Sequence, residues 1–340
     1  MLGTGVSLSA SVRTADFDGD GDLDIAVANG RHWPQQNLLF LNQGRGRFNL
    51  ARRLQEELST TYACEPADFD GDGDIDLAIG NDNAPCRVLL NDGTGRLAPA
   101  EQFGQPSSVR SLAAVDVDAD GHVDILATCR GSANKIYFND GLAKFSKSVS
   151  FGTARDSTID VAAADVNSDG ISDLILANRD KQPNCILLGL GKRRFAEPKT
   201  LGKRVESSRA VATGDFNNDG HIDWVVGNIG SANCIYFGDG KGGVQSELLI
   251  GNADAMTYAI AVAGMNNDEH LDIVVGNVAR PNCVYFNHDS GRRFTQTPFG
   301  EAESATYGIC VGDFNQDGYA DVAVANSGAP NRVFYNRIKP

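Results

Sequence analysis

The side chains best suited to chemistry are aspartates that recur in one short pattern, D-x-[DN]-x-D-G-x-x-D, beginning at Asp16, Asp68, Asp116, Asp165, Asp215 and Asp313. Alternate oxygens on a tight loop converge on one point, the arrangement that a hard cation taking six to eight oxygen ligands demands. The first three loops place carboxylates at positions one, three, five and nine: Asp16, Asp18, Asp20 and Asp24; Asp68, Asp70, Asp72 and Asp76; Asp116, Asp118, Asp120 and Asp124. Three others carry asparagine at position three, giving Asp165, Asn167, Asp169 and Asp173; Asp215, Asn217, Asp219 and Asp223; Asp313, Asn315, Asp317 and Asp321. The backbone carbonyl of position seven adds a ligand at Asp22, Asp74, His122, Ile171, His221 and Tyr319. Glycine at position six permits the positive φ of the turn. The expected ion is calcium, Ca2+. An EF-hand opens similarly but needs a glutamate at position twelve and flanking helices, and this chain offers neither. In a seventh, worn copy at 264–272 Gly264 removes the first ligand and Glu269 replaces the glycine, so about six sites are expected to fill and this one to be weak or empty.

These loops must be held by a repeated element. They span 16–24, 68–76, 116–124, 165–173, 215–223, 264–272 and 313–321, and successive starts lie 52, 48, 49, 50, 49 and 49 residues apart. A fixed period of this size signals a repeat architecture, so residues 1–340 read as one domain of seven units. Within residues 258–300 an apolar run, YAIAVAG, precedes the acidic loop, and the runs IVVGN, CVYFN and FTQTPFG follow, each bounded by Gly, Asn or Asp. Four short runs rich in Val, Ile, Phe and Tyr predict a four-stranded antiparallel meander. The expected fold is all-β: a seven-bladed propeller, in which radial repetition leaves only short edges.

Stacked blades cover both faces of each sheet. Val12, Cys64, Leu112, Val161, Val211, Ile260 and Ile309 stand four residues before their loops and mostly Ala or Cys stands three before, so large meets small across each interface. Gly3, Gly152, Gly202, Gly251 and Gly300 all lie thirteen residues before a loop, which equates Met1 and Leu2 with the end of a fourth strand. The last unit stops after RVFYN at 332–336, so the final blade is expected to lack its outer strand, either because the chain is an excerpt of a longer protein, the favoured reading, or because that blade has three strands. Cys185, Cys234 and Cys283 hold one position in successive units, too far apart to bridge, and the seven cysteines read as small buried hydrophobes.

Apolar residues make up 41% of the chain and charged residues 22%, which excludes disorder. A formal charge of -14 excludes a phosphate backbone as partner. No run approaches the ~18 apolar residues of a membrane span, and MLGTGVSLSA lacks the basic and apolar regions of a signal peptide.

The segment YGICVGDFNQDGYADVAVAN at 307–326, followed by GAP at 328–330, resembles the FG-GAP and VCBS repeat propellers and, more distantly, the head of integrin α chains. The resemblance implies the fold and the metal but not one function, since it embraces adhesion heads, lectin-like proteins and modules of polysaccharide-degrading enzymes. In the integrin pattern the aromatic six residues before each loop helps form a cage for a partner's basic side chain. Ala10, Tyr62, Arg110, Ile159, Arg209, Tyr258 and Tyr307 hold that position here, so three tyrosines match and four positions depart.

Loops between the second and third strands fall on the face opposite the acidic loops, and they bring Arg31, His32 and Trp33, Arg130, Arg179, Lys181 and Arg280. Tryptophan beside Arg and His suits sugar or peptide binding. Enzyme chemistry finds little footing. His122, His221 and His270 share loop position seven, facing solvent, and G-x-S-x-G, H-E-x-x-H and C-x-x-C are absent. The reading is a calcium-stabilised, non-catalytic module, extracellular or on the cell surface, that binds a protein or glycan opposite its calcium loops. The alternatives are a propeller of a polysaccharide-degrading enzyme, including a lyase using His32 with Arg31 or Tyr62, and a structural segment of a larger surface protein.

Overall fold

A computed structural model describes residues 1–337, which form strands, turns and loops with no helix among the described residues. The fifth unit shows the pattern most simply. Its strands Ser208–Gly214, Asp223–Asn228, Asn233–Gly238 and Val244–Ile250 pair antiparallel in sequence order, Val226 lying between Val211 and Cys234. Every residue of Asp223–Asn228 is buried, because neighbouring sheets cover both of its faces. That is why DWVVGN is nearly continuous in apolar character instead of alternating.

Three sheets have four strands and two have six, because some strands run on through their connections. Asp76–Asn91 supplies the second and third strands of one unit, and Leu97–Val115 the fourth of that unit and the first of the next. Asp321–Phe334 and Leu2–Ala15 do the same where the ring closes. The pairings therefore resolve into seven repeated units arranged as a propeller.

The core is distributed between blades. Seven apolar clusters each draw on two adjacent units, and one joins Val12, Ile25 and Phe40 of the first to Cys310, Phe314 and Ala323 of the last. Asparagines stitch the same interfaces: Asn37 Nδ2 donates to Thr61 Oγ1 at 2.8 Å, Asn134 to Thr158 at 2.9 Å, Asn282 to Thr306 at 3.1 Å and Asn331 to Ser9 Oγ at 3.0 Å. The last of these spans 322 residues of sequence and locks the ring. The seventh blade, expected to lack its outer strand, also receives Leu2 opposite Asn331, as Phe299 lies opposite Asn282 one blade earlier. The seven cysteines are free thiols, six buried and Cys185 half-buried, in keeping with the sequence reading.

One irregularity recurs in every blade. The register of the first strand shifts between Ser9 and Ser11, Thr61 and Ala63, Val109 and Ser111, Thr158 and Asp160, Ser208 and Ala210, Thr257 and Ala259, and Thr306 and Gly308. Each shift leaves one residue as a β-bulge, and a bulge re-aims its side chain.

Candidate functional site

At one end of the first strands lie the acidic loops. The oxygens of Asp16, Asp18 and Asp24 lie within 4.8 Å of one another, as do those of Asp68, Asp70 and Asp76 and of Asp116, Asp118 and Asp124. The first aspartate shapes its loop: Asp16 accepts the N–H of Gly21 at 2.9 Å, and Asp68, Asp116, Asp165, Asp215 and Asp313 repeat that bond. Desolvation and the neighbouring Asp20 and Asp16 push the Asp18 carboxyl above the usual range. Asp18 Oδ1 and Asp118 Oδ1 are buried without a hydrogen-bond donor, and a cation is the partner that such atoms lack. Asn167, Asn217 and Asn315 turn Oδ1 towards the backbone N–H of Asp169, Asp219 and Asp317. The residues present thus fit a divalent cation held by positions one, three, five, seven and nine, whose charge would relieve the repulsion among the carboxylates.

The ninth aspartate has a second role. Asp24 is fully buried and accepts the N–H of Phe17 at 3.0 Å and of Asn42 at 2.7 Å, tying the loop to the end of the third strand. Asp76, Asp124, Asp173, Asp223, Asp272 and Asp321 accept the corresponding pair of N–H groups. The worn loop keeps this staple. It also keeps the backbone, with Glu269 at φ +68° where the other loops place glycine, but Gly264 offers no carboxylate. In the third loop a protein cation is already present: Arg193 bonds Asp118, and reaches Asp120 at 3.3 Å.

At the other end of the first strands, some 15–20 Å away for strands of this length, is the channel mouth. The bulge residues are Ala10, Tyr62, Arg110, Ile159, Arg209, Tyr258 and Tyr307, and six of them, all but Ala10, line a recess of about 250 Å³. Arg31, His32, Arg130 and Arg179, from the loops between second and third strands, complete its wall. The guanidinium of Arg31 lies 3.9 Å from the Tyr307 ring centre, Arg110 4.2 Å from that of Tyr62 and Arg209 5.7 Å from that of Tyr258, and the Tyr258 and Tyr307 rings meet edge to face at 4.8 Å. Tyr62 Oη lies 3.0 Å from His32 Nδ1, and Arg31 Nη1 3.1 Å from His32 Nε2. Desolvation, with Arg31 and Arg110 adding to it, holds the His32 pKa below its ordinary value, favouring neutral imidazole. Two carboxylates partner this rim: Asp82 meets Arg110 at 3.1 Å, and Asp180 meets Arg130 at 3.0 Å and Arg179 at 3.9 Å.

A family model described as an FG-GAP-like repeat matches residues 16–79, 68–127, 116–176, 165–226, 215–275 and 264–324. The chain belongs to the FG-GAP-like repeat family. Among curated proteins no sequence match was found. The FG-GAP propeller is similar in fold to a lectin from Agrocybe aegerita solved for its recognition of non-reducing terminal N-acetylglucosamine, at TM-score 0.63 and 17% identity over 95% of this chain and 87% of that one. It is also similar to the lectin BP39L from Burkholderia pseudomallei, at TM-score 0.70 and 11% identity over 97% and 99% of the two chains. BBS1N, solved in complex with ARL6DN, matches at TM-score 0.65 and 12% identity over 97% and 93%.

In this FG-GAP propeller Tyr62, Arg110, Arg209, Tyr258, Tyr307, Arg31 and His32, singled out from two separate sequence patterns, meet at one recess. Trp33 stands outside it, 71% exposed. Lys181 and Arg280 do not line it either. The cage for a basic side chain is a different structure here, since its tyrosine faces are taken by the chain's own arginines. His221 and His270, expected to face solvent, are half-buried, His221 against Gly240. Sequence reasoning missed the apolar second position of each loop, where Phe17, Phe69, Val117, Val166, Phe216, Met265 and Phe314 plug the interfaces, although its periodicity was visible. It also missed the channel pair: Arg13 and Glu65 interrupt the run of small residues three before the loops, and they meet at 2.7 Å.

Proposed function

We propose that this propeller is a calcium-stabilised, non-catalytic recognition module that takes a glycan at its channel mouth. The observation that carries the reading is the convergence of six bulge residues and four loop residues on one recess, away from the acidic loops. Packing requires no arginine at a bulge, whereas a ligand-holding rim uses guanidinium forks. The two lectins of similar fold support a glycan; BBS1N in its complex supports a protein as the competing ligand. Calcium is supported by the ligand set and by the orphaned oxygens of Asp18 and Asp118. Loops this exposed fill readily at extracellular calcium levels, which supports a secreted or surface location.

A second reading, elimination from a uronate, is favoured by one contact, the hydrogen-bonded His32–Tyr62 pair beside Arg31. A glycan array read with calcium and with chelator tests the main reading. Saturable hits without release of unsaturated sugar support recognition, whereas ultraviolet absorbance from an unsaturated product supports the lyase. The thermal midpoint is expected to fall in chelator; an unchanged midpoint removes the calcium assignment.

A further inference from the structure

Five guanidinium groups, those of Arg31, Arg110, Arg130, Arg179 and Arg209, face one recess in a chain whose net charge is -14. Asp82 pairs with Arg110, and Asp180 is shared by Arg130 and Arg179. Arg31 and Arg209 are different. Arg31 has only Ser327 Oγ at 3.3 Å and the His32 ring as polar partners, and Arg209 has no hydrogen-bond or carboxylate partner among the described residues. Asp160 attracts Arg209 electrostatically but forms no salt bridge with it, its oxygens accepting from Ser111 Oγ at 2.7 Å and the Val211 N–H at 3.1 Å. Desolvation holds the Arg209 pKa down at about 10, so the side chain remains charged at neutral pH in surroundings that make charge costly.

Such an arrangement is expensive unless something supplies negative charge. The tyrosines do not, and Arg31 on Tyr307 and Arg209 on Tyr258 flank the adjoining ring pair from its two sides, so two guanidiniums without a salt bridge among the described residues line the same cavity. The aromatic ring that would accept a cation is blocked by these guanidiniums, and the polarity of the mouth is positive.

We infer that the channel mouth selects sugars carrying an oxyanion, a carboxylate or a sulfate ester, for which Arg31 and Arg209 supply the positive charge. This specificity rests on the glycan-recognition reading above and sharpens it. A charged hydrogen bond to an oxyanion is worth on the order of tenfold or more in affinity, so one such bond already discriminates against the neutral counterpart.

The test is calorimetric titration, in calcium, of three probes of matched length: trigalacturonate, a sulfated galactose trimer and the neutral galactose trimer. One or both acidic trimers are expected to bind at least about tenfold more tightly than the neutral one, with added salt weakening only the acidic binding. Which acidic trimer binds identifies the oxyanion. R31Q and R209Q, made singly and together, are expected to abolish that preference while the thermal midpoint in calcium stays within a few degrees, which excludes misfolding. Equal binding of neutral and acidic trimers, or a preference that survives the double substitution, overturns the inference and leaves glycan recognition standing. Binding of none of the three overturns the inference, and a blank glycan array alongside it overturns glycan recognition as well.

Discussion

Replacing Asp272 by alanine separates the two roles of the ninth loop position. Asp272 is fully buried, accepting the Met265 N–H at 2.8 Å through one oxygen and the Asn287 N–H at 2.8 Å through the other. Its loop begins with Gly264, so a metal contribution is least there. Alanine strands two buried N–H groups, each costing roughly 1–3 kcal/mol. Part of that loss is offset, because burial already pushes the Asp272 carboxyl above the usual range and removing it relieves the penalty. The net expectation is about 3 kcal/mol of destabilisation, of the same size in calcium and in chelator. Urea unfolding followed through the fully buried Trp224, in the adjacent blade, reads this directly. In D24A the same staple is lost together with one carboxylate of the proposed calcium site, so on that proposal its destabilisation should be larger in calcium than in chelator. A cost below about 1 kcal/mol for D272A, or one that appears only with calcium, refutes the staple.

The ninth aspartates also fix a pH response. Burial raises the folded-state value of Asp24 to about 7 and those of Asp76, Asp124, Asp223 and Asp321 to about 6. Folding in chelator therefore takes up protons, and the thermal midpoint should rise as pH falls from about 7 towards 4, levelling where unfolded carboxylates also protonate; in calcium the trend reverses as protons compete with the ion. E269G should stabilise the chain by about 1 kcal/mol in thermal unfolding, since φ +68° strains any side chain there. R193Q should tighten calcium binding at the third loop by several-fold in calorimetry, because the guanidinium that bonds Asp118 and Asp120 is removed.

The repeat, the β class and the acidic loops were legible because they are local and periodic. Each of the six copies of D-x-[DN]-x-D-G-x-x-D writes its own turn and its own ligand set, and with the worn seventh in phase they leave only a ring of meanders able to bury DWVVGN on both faces. Position nine was read as a ligand only, because its other partners, such as Asn42 for Asp24, lie about two strands further along the chain. The fourth-strand place of Leu2 was visible from the glycine spacing, but its partner Asn331 enters only when the ring closes.

The channel mouth divides along the same line. Sequence alone determined that Arg110, Arg209, Tyr62, Tyr258 and Tyr307 share one repeat position. It could not determine what that position does, because a bulge is a mismatch between two strands and has no signature in either one. Only the closed ring turned these residues inward, set Arg31 of the first blade on Tyr307 of the seventh, and left Arg31 and Arg209 without a salt bridge among the described residues. Periodicity fixes what each blade contains, and contacts between blades far apart in sequence decide which charges remain unpaired.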